Sequence, residues 1–144
     1  IALCAPTGRA AKRLSEQTGR KASTILRLLE VDFTGGVVSF IHNDKNLLKC
    51  DVVILDEMSM VDVKLFQALS AALRYSCRII MVGDADQLPS VGPGNILGEI
   101  LKAGVVPTVR LTDIFRQAQR SLIVQNAHRI VEGQMPKRGG PRAD

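Results

Sequence analysis

Short runs of apolar residues recur along the chain, separated by segments in which apolar residues have helical spacing. Four runs predict β-strands: IALCA (1–5), VVIL (52–55), RIIMV (78–82) and VVPTVRL (105–111), the last made irregular by Pro107. The first three are continuously apolar, which is typical of strands buried on both faces of a parallel sheet. Such strands alternating with helices predict an α/β fold, with a mostly parallel sheet covered by helices on both faces.

Five segments predict helices from their apolar spacing and their end signals. The first covers residues 7–17, opened at Thr7 or Gly8 and ended by Thr18-Gly19, and the second is a short helix capped by Ser23, with Ile25, Leu28 and Leu29 on one face. The third is opened by a Ser59-x-x-Asp62 capping box and has Phe66, Leu69 and Leu73 on one face. The fourth covers residues 94–103, closed by Gly104, and the fifth covers residues 121–132, with Ile123, Ala127 and Ile130 on the inner face. Between residues 31 and 48, two apolar arms around Gly35-Gly36 predict a hairpin.

The composition is that of one globular domain, with 144 residues of which 46% are hydrophobic and 23% charged. No run approaches the roughly 18 apolar residues of a membrane span, and no signal peptide is recognisable, so we expect a cytoplasmic protein without a membrane partner. The first residue is not Met, and we expect a piece of a longer chain. Cys4, Cys50 and Cys77 stand beside apolar runs without a CxxC motif and predict reduced core thiols. His42 and His128 are isolated and predict no metal site.

The distribution of the basic residues along the chain is more informative than the net charge. The formal net charge of +5 is compatible with a polyanionic partner but does not require one. Five basic residues follow the first strand within a stretch that contains one acid, Glu16: Arg9, Lys12, Arg13, Arg20 and Lys21. A second basic group lies in KRGGPRAD (137–144), which predicts a disordered tail, with a solvated linker as its ordinary interpretation.

The strand VVIL runs directly into two carboxylates, Asp56 and Glu57. This pattern fits a Walker B element, in which Asp56 would bind Mg²⁺ and Glu57 would orient or deprotonate the attacking water. The alternative is that the two acids only interact favourably with the dipole of the following helix. Ligands of doubly wound sheets bind beyond the carboxyl ends of the strands. We therefore expect Asp56-Glu57, Pro6-Thr7-Gly8-Arg9 and the segment GDADQ (83–87) to lie along one edge.

Other polar residues are ambiguous by themselves. Gln87 could contact a γ-phosphate or position water, although GDxxQ alone is more typical of a polar turn. The segment LPSVGPG (88–94) has possible anion-binding geometry and is more often a plain turn. Arg116 could stabilise charge that develops on a γ-phosphate, and without context a surface ion pair is the ordinary interpretation.

Four segments together resemble consecutive motifs of superfamily 1 DNA helicases of the RecD-like branch, which includes the RecD subunit of exonuclease V and RecD/TraA-type helicases. They are APTGRAAKRL (5–14), VVILDEMSMVD (52–62), GDADQLPSVGPGN (83–95) and LTDIFRQ…SLIVQNAHRI (111–130). The resemblance covers residues 1 to about 136 and implies a RecA-like P-loop NTPase core. It implies a partial first motor domain at 1–110, a junction to a second motor domain at 111–136, and translocation from 5′ to 3′ on single-stranded DNA.

The resemblance also implies roles for single residues, with ATP and Mg²⁺ as cofactors. Asp56 would bind Mg²⁺, Glu57 would activate water, Gln87 would contact the γ-phosphate and Arg116 would act as an arginine finger. The residues that would contact single-stranded DNA are Pro6, Thr7, Gly8, Arg9, Lys12, Ser90 and Gly92. Subunits of a nuclease–helicase complex are further implied partners.

Two departures from the family pattern stand out. The chain has no G-x-x-x-x-G-K-[ST] phosphate loop, so we expect this segment alone to be inactive towards ATP. Leu26 stands where this family leads us to expect a His, which puts one DNA contact in doubt. Another P-loop ATPase motor and a non-catalytic RecA-like DNA-binding module remain as alternatives, and an interaction scaffold with solvated basic faces is a third.

Overall fold

A computed structural model of the chain describes residues 1–87, 92–112 and 121–137. The chain divides into two compact units, Ile1–Val106 and Pro107–Asp144. Among the described residues, no helix is long and apolar enough to span a bilayer. The predicted assignment of a motor domain, a junction and a tail to stretches of the chain stays a prediction, and residues 138–144 of the tail lie outside the described residues.

The first unit is built on a four-stranded parallel sheet. Its strands are β1 (Ala2–Ala5), β2 (Ser23–Thr24), β5 (Val52–Leu55) and β6 (Arg78–Met81). Their order across the sheet is β2-β1-β5-β6. A separate antiparallel pair, β3 (Val31–Asp32) and β4 (Ser39–Phe40), forms the predicted hairpin. The predicted α/β fold with a mostly parallel sheet is confirmed.

Four helices accompany this sheet: α1 (Gly8–Thr18), α2 (Ile25–Leu29), α3 (Val63–Ala71) and α4 (Ile96–Ala103). Helix α1 shows how local chemistry sets the ends. The Thr7 hydroxyl accepts a hydrogen bond from the Ala10 amide at 3.2 Å, and Gly19, at φ 66°, ends the helix in the left-handed conformation. Ala11 and Leu14 are its buried face.

The core lies between the sheet and helices α2 and α3. Its largest fully buried side chains are Ile25, Leu29, Val53, Leu55, Met58, Val61 and Leu69, together with Cys4. Strand β1 is buried along Leu3, Cys4 and Ala5, and because successive side chains point to opposite faces, both faces of β1 are covered.

Two predicted helix starts are wrong. Thr24, not Ser23, caps α2, since its side chain accepts from the Arg27 amide at 3.2 Å. Ser59 does not open α3: it lies in a 3₁₀ turn, Met58–Met60, and its buried Oγ has no hydrogen-bond partner among the described residues. Asp62 caps α3 instead, with Oδ1 accepting from the Leu65 amide at 2.7 Å. The 3₁₀ turn contains residues that the predicted capping box had placed at the start of the helix.

Two predicted strands differ from the prediction. Strand β6 is not buried on both faces, because Arg78 and Ile80 are exposed while Ile79 and Met81 are half-buried. Among the described strands it pairs only with β5, at the edge of the sheet. Residues 105–111 form no strand and are exposed. Pro107 has no amide hydrogen to donate to a ladder, and no described strand runs beside this segment.

The second unit contains helix α5 (Leu122–Val131), within the predicted range. The following residues fold back on it, since the Asn126 side chain exchanges hydrogen bonds with the Lys137 backbone and Arg129 Nε donates to the Met135 carbonyl at 2.7 Å. The predicted inner face is wrong for this chain: Ile123, Ala127 and Ile130 are exposed, because no other described residue of the unit covers them.

Candidate functional site

The carboxyl ends of β1, β5 and β6 lie side by side at one edge of the sheet. The backbone ladder continues past the strands: the Asp56 amide donates to the Cys4 carbonyl at 3.0 Å, and the Val82 amide donates to the Leu55 carbonyl at 2.9 Å. The Met58 amide in turn donates to the Val82 carbonyl at 3.0 Å. The three segments expected to converge, those that begin at Pro6, Asp56 and Gly83, are therefore held together by hydrogen bonds.

Asp56 and Glu57 occupy the middle of this edge, and both are half-buried. Asp56 Oδ1 accepts a hydrogen bond from the Glu57 amide at 2.8 Å, which fixes the carboxylate. Glu57 has φ 55° and ψ 45°, a left-handed conformation that is uncommon for a residue with a side chain and that occurs preferentially at functional sites. Met58, fully buried directly after it, holds this backbone in place.

The structure removes the alternative in which the two acids serve only a helix. Glu57 precedes the 3₁₀ turn but makes no side-chain cap hydrogen bond, and α3 begins at Val63, seven residues after Asp56, under its own cap, Asp62. Neither carboxylate therefore has a capping role. Their position after a buried strand, with the backbone of Glu57 strained, calls for another explanation.

The residues present fit a hard divalent cation such as Mg²⁺. Asp56 Oδ2 and both oxygens of Glu57 accept no hydrogen bond from the residues that the structure describes, so oxygen ligands are available. No cluster of three or more His, Cys, Asp or Glu side chains occurs in the described ranges. This set suits Mg²⁺, which is commonly held by one or two carboxylates with water and substrate phosphates completing its shell.

The end of β1 presents backbone, hydroxyl and basic groups. Pro6 and Thr7 are half-buried, while Gly8, Arg9 and Lys12 are exposed. The Thr7 oxygen accepts from the Ala10 amide, and its hydroxyl hydrogen remains able to donate to a ligand. The one ion pair found among the described residues joins His42 and Glu30, so Arg9 and Lys12 are not neutralised by a described acid.

The end of β6 is a tight turn packed against the acidic segment. A Cβ at Gly83 would lie 2.9 Å from Met58 Cβ and 3.0 Å from Leu97 Cδ2, so any side chain there would force its neighbours to shift. Asp84 closes the turn, its carboxylate accepting from the Asp86 amide at 2.9 Å and its carbonyl from the Gln87 amide at 3.2 Å. Gln87 is exposed at this edge.

The segment Gly92-Pro93-Gly94 packs on the start of α3. A Cβ at Gly92 would overlap the Asp62 carboxylate, and one at Gly94, at φ +98°, would overlap the Val63 side chain. The Pro93 carbonyl accepts from the Val63 amide at 3.2 Å. The capping role of Asp62 could be predicted from its place directly before a helical pattern, whereas its contact with Gly92 has no signal in the sequence.

Three positions singled out in the sequence do not contribute to this description of the site. Ser90 and Arg116 lie outside the described residues, and their proposed contacts stay predictions. Leu26, at the position expected to be His, lies on α2 and is half exposed. The roles assigned to the other site residues also stay predictions. The structure shows that the ends of β1, β5 and β6, which most of these residues follow, are neighbours.

A parallel α/β sheet with paired acids after its central strand is typical of nucleotide-hydrolysing P-loop proteins. Residues 1–140 match the AAA domain family, and the chain belongs to that family. Its resemblance to RecD-like superfamily 1 helicases is supported by individual relatives.

Two curated proteins support this assignment by their sequence similarity. The chain is 43% identical to the ATP-dependent RecD2 DNA helicase of Deinococcus radiodurans over 99% of its length, which is 19% of that protein. It is 38% identical to the RecBCD enzyme subunit RecD of Mycolicibacterium smegmatis over 71% of its length, or 21% of that protein. The structure of unliganded Pif1 from a Bacteroides species matches 70% of the chain and 26% of its own, with 24% identity and a TM-score of 0.46. The chain thus spans about a fifth of the curated relatives.

Proposed function

We propose that this chain belongs to the first motor domain of an ATP-dependent DNA helicase that moves from 5′ to 3′ on single-stranded DNA. The observation that carries the proposal is the edge at which the ends of β1, β5 and β6 meet, with Asp56 and Glu57 between a basic strand end and a polar turn. Relatives named as DNA helicases support it. The longer match to the RecD2 helicase favours a protein of that type over a subunit of an exonuclease V complex.

In this proposal the acids act on the nucleotide. Asp56 would hold Mg²⁺ through its free Oδ2, and the ion would neutralise charge on the β- and γ-phosphates. Glu57, fixed by its left-handed backbone, would orient the attacking water and accept its proton. Gln87 would contact the γ-phosphate from the neighbouring turn, and Arg116 would stabilise charge on it from the junction.

The end of β1 would contact DNA. The backbone amides of Thr7, Gly8 and Arg9 and the Thr7 hydroxyl suit phosphate oxygens. Lys12, one turn along α1, adds a charge that makes binding depend on salt. Ser90 and Gly92 would lie near the DNA as well. Since Gly92 packs against Asp62 at the start of α3, a shift of the loop that contains Gly92 would also displace the segment that carries Glu57. This contact gives the site a physical route from nucleotide to DNA.

The dependence of ATP hydrolysis on single-stranded DNA tests the proposal. We expect the full-length protein, with Mg²⁺, to hydrolyse ATP much faster when single-stranded DNA is added. Arg9→Ala should raise the DNA concentration needed for half-maximal stimulation, because a phosphate contact is lost. The matched control Arg74→Ala removes an equally exposed arginine after the end of α3, away from this edge, and should leave that concentration unchanged.

Two results would contradict the proposal. Hydrolysis that is indifferent to single-stranded DNA would indicate another kind of P-loop motor. Binding of single-stranded DNA without any hydrolysis would indicate a non-catalytic RecA-like binding module.

A further inference from the structure

The side of helix α1 that faces solvent is basic. The helix buries Ala11 and Leu14. With about 3.6 residues per turn, its opposite side, the outer face of α1, is formed by Arg9, Lys12, Arg13 and Glu16. All four residues are exposed, so three cations and one acid lie together on this face.

Two more cations follow directly after the helix. Arg20 and Lys21 are exposed, and the segment that carries them is tied back to α1. The Arg20 amide donates to Thr18 Oγ1 at 3.3 Å, and the Ala22 amide donates to Ser15 Oγ at 2.8 Å. Arg20 and Lys21 are therefore held at the carboxyl end of the helix.

The basic surface extends to α2 and to the segment before β5. Lys21 lines a cavity of about 720 Å³ together with Arg27 and Lys49. The one acid in the lining of this cavity is Glu30, and its carboxylate already has a partner, since it lies 3.4 Å from His42 Nε2. The cations around Lys21 thus outnumber the acids, as they do on the outer face of α1.

Helix stability does not explain this distribution of charge. Acids are favourable near the amino end of a helix and cations near its carboxyl end, yet the first turn of α1 contains no acid and its last turn no cation. Arg9 and Arg13 are four residues apart, a spacing at which like charges destabilise a helix. Neither arginine forms an ion pair with a described acid. A bound polyanion would relieve this repulsion.

The chemistry of this surface favours double-stranded over single-stranded DNA. Proteins that hold single strands combine basic groups with aromatic side chains on which the bases stack, whereas residues 8–30 contain no aromatic residue. A duplex can be held through its backbone phosphates, for which cations are sufficient. The 11 residues of α1 span about 16 Å, a length over which one strand of a duplex presents about five phosphates.

We propose that the outer face of α1, together with Arg20 and Lys21, binds the phosphate backbone of double-stranded DNA. This partner rests on the proposed function, which names DNA as the polyanion. Helix α1 begins directly after Thr7, at the strand end proposed to contact the single strand. A duplex joined to that strand would lie within reach of the cations farther along the helix. The contact would hold the duplex by charge, without reading its base sequence.

Salt titrations of the full-length protein test this surface. Binding of a fluorescent blunt-ended duplex, and of a single strand of the same length, is followed by anisotropy without ATP at several salt concentrations. Arg13→Ala and Arg20→Ala are each expected to reduce the slope of log affinity against log salt for the duplex by about 0.9, the value for one lost phosphate contact. The slope for the single strand should stay the same. The matched control Arg74→Ala, at an exposed arginine after the end of α3, should change neither slope.

Glu16→Gln tests the surface in the opposite direction. Removal of the one acid on the outer face should tighten duplex binding, a gain that misfolding cannot produce. Glu99→Gln makes the same change on α4 and should have no effect. Duplex binding that matches the wild type in Arg13→Ala, Arg20→Ala and Glu16→Gln would overturn the inference. Equal changes for duplex and single strand would also overturn it, because the face would then belong to the path of the single strand.

The proposed function is checked separately in the same variants. ATP hydrolysis stimulated by single-stranded DNA should be unchanged in Arg20→Ala, because Arg20 follows the far end of α1 from the proposed contact with the single strand. Wild-type hydrolysis that is indifferent to DNA would contradict the proposed function. A wild-type duplex slope in both arginine variants, with normal stimulation by the single strand, would contradict only the duplex surface.

Discussion

Replacing Glu57 by glutamine in the full-length protein is expected to lower the DNA-stimulated rate of ATP hydrolysis by about 10²–10⁴-fold, the usual contribution of a general base. The amide keeps the size and shape of the side chain but cannot accept a proton from water. Glu57 accepts no hydrogen bond from a described residue, so no internal contact is lost. Affinity for Mg²⁺ and ATP should change little, because Asp56, not Glu57, is the proposed ligand. Rapid-mixing or steady-state phosphate release measures the effect, and equilibrium binding of a fluorescent ATP analogue checks affinity.

The chain offers a matched control for this substitution. Glu99→Gln makes the same chemical change at an exposed position in the first turn of α4 and should leave the hydrolysis rate unchanged. An E57Q variant that hydrolyses ATP within a few-fold of the wild-type rate would show that Glu57 is not the base. An equal loss in both variants would show that the effect is general and not specific to the site.

Replacing Gly83 by alanine is expected to destabilise the strand ends by about 1–3 kcal/mol, the usual cost of overpacking. The added methyl would lie 2.9 Å from Met58 Cβ and 3.2 Å from the Met58 amide nitrogen, and the backbone cannot yield as a flexible side chain can. Because Met58 holds Glu57 in its left-handed conformation, the rate of ATP hydrolysis should fall as well. Hydrogen exchange followed by mass spectrometry measures the local effect, with faster exchange expected in peptides that contain the Met58 and Val82 amides.

Gly8→Ala is the comparison for this prediction about stability. A Cβ at Gly8 would meet no atom within 4 Å, and the residue opens α1 with an ordinary helical backbone. Alanine there should leave exchange unchanged or slow it slightly, since alanine favours helix over glycine by about 0.5–1 kcal/mol. If the two variants exchanged alike at β5 and β6, the tight contact between Gly83 and Met58 would not be important for stability.

The strands that carry the site could be predicted because their signals are local and strong. VVIL and IALCA are continuous apolar runs that end abruptly in polar residues, and parallel strands necessarily bring their carboxyl ends to one edge. The bounds of α1 followed from Thr7 and Gly19, whose side chain and backbone act within a few residues. These inferences needed no knowledge of distant contacts.

The predictions that failed depended on what lies next to a segment in space. RIIMV is as apolar as VVIL, yet β6 lies at the edge of the described sheet and Ile80 is 51% exposed. The spacing in α5 identified an apolar face correctly but could not say whether any element would cover it. Ser59 and Asp62 both fit the sequence pattern of an N-cap residue. The left-handed residue Glu57 is followed by a 3₁₀ turn that contains Ser59, so α3 begins after Asp62 instead. The tight packing around Gly83 could not be predicted from the sequence either, because glycine occurs in turns for several different reasons.

The polarity of unwinding tests the central claim most directly. The claim is that the edge formed by β1, β5 and β6 belongs to a motor that moves from 5′ to 3′ on single-stranded DNA. Full-length protein with ATP and Mg²⁺ would be given two duplexes of the same sequence, one with a 5′ and one with a 3′ single-stranded overhang, and strand separation followed over time. The account predicts unwinding of the duplex with the 5′ overhang, lost in the Glu57→Gln variant. Preferential unwinding of the duplex with the 3′ overhang would contradict it.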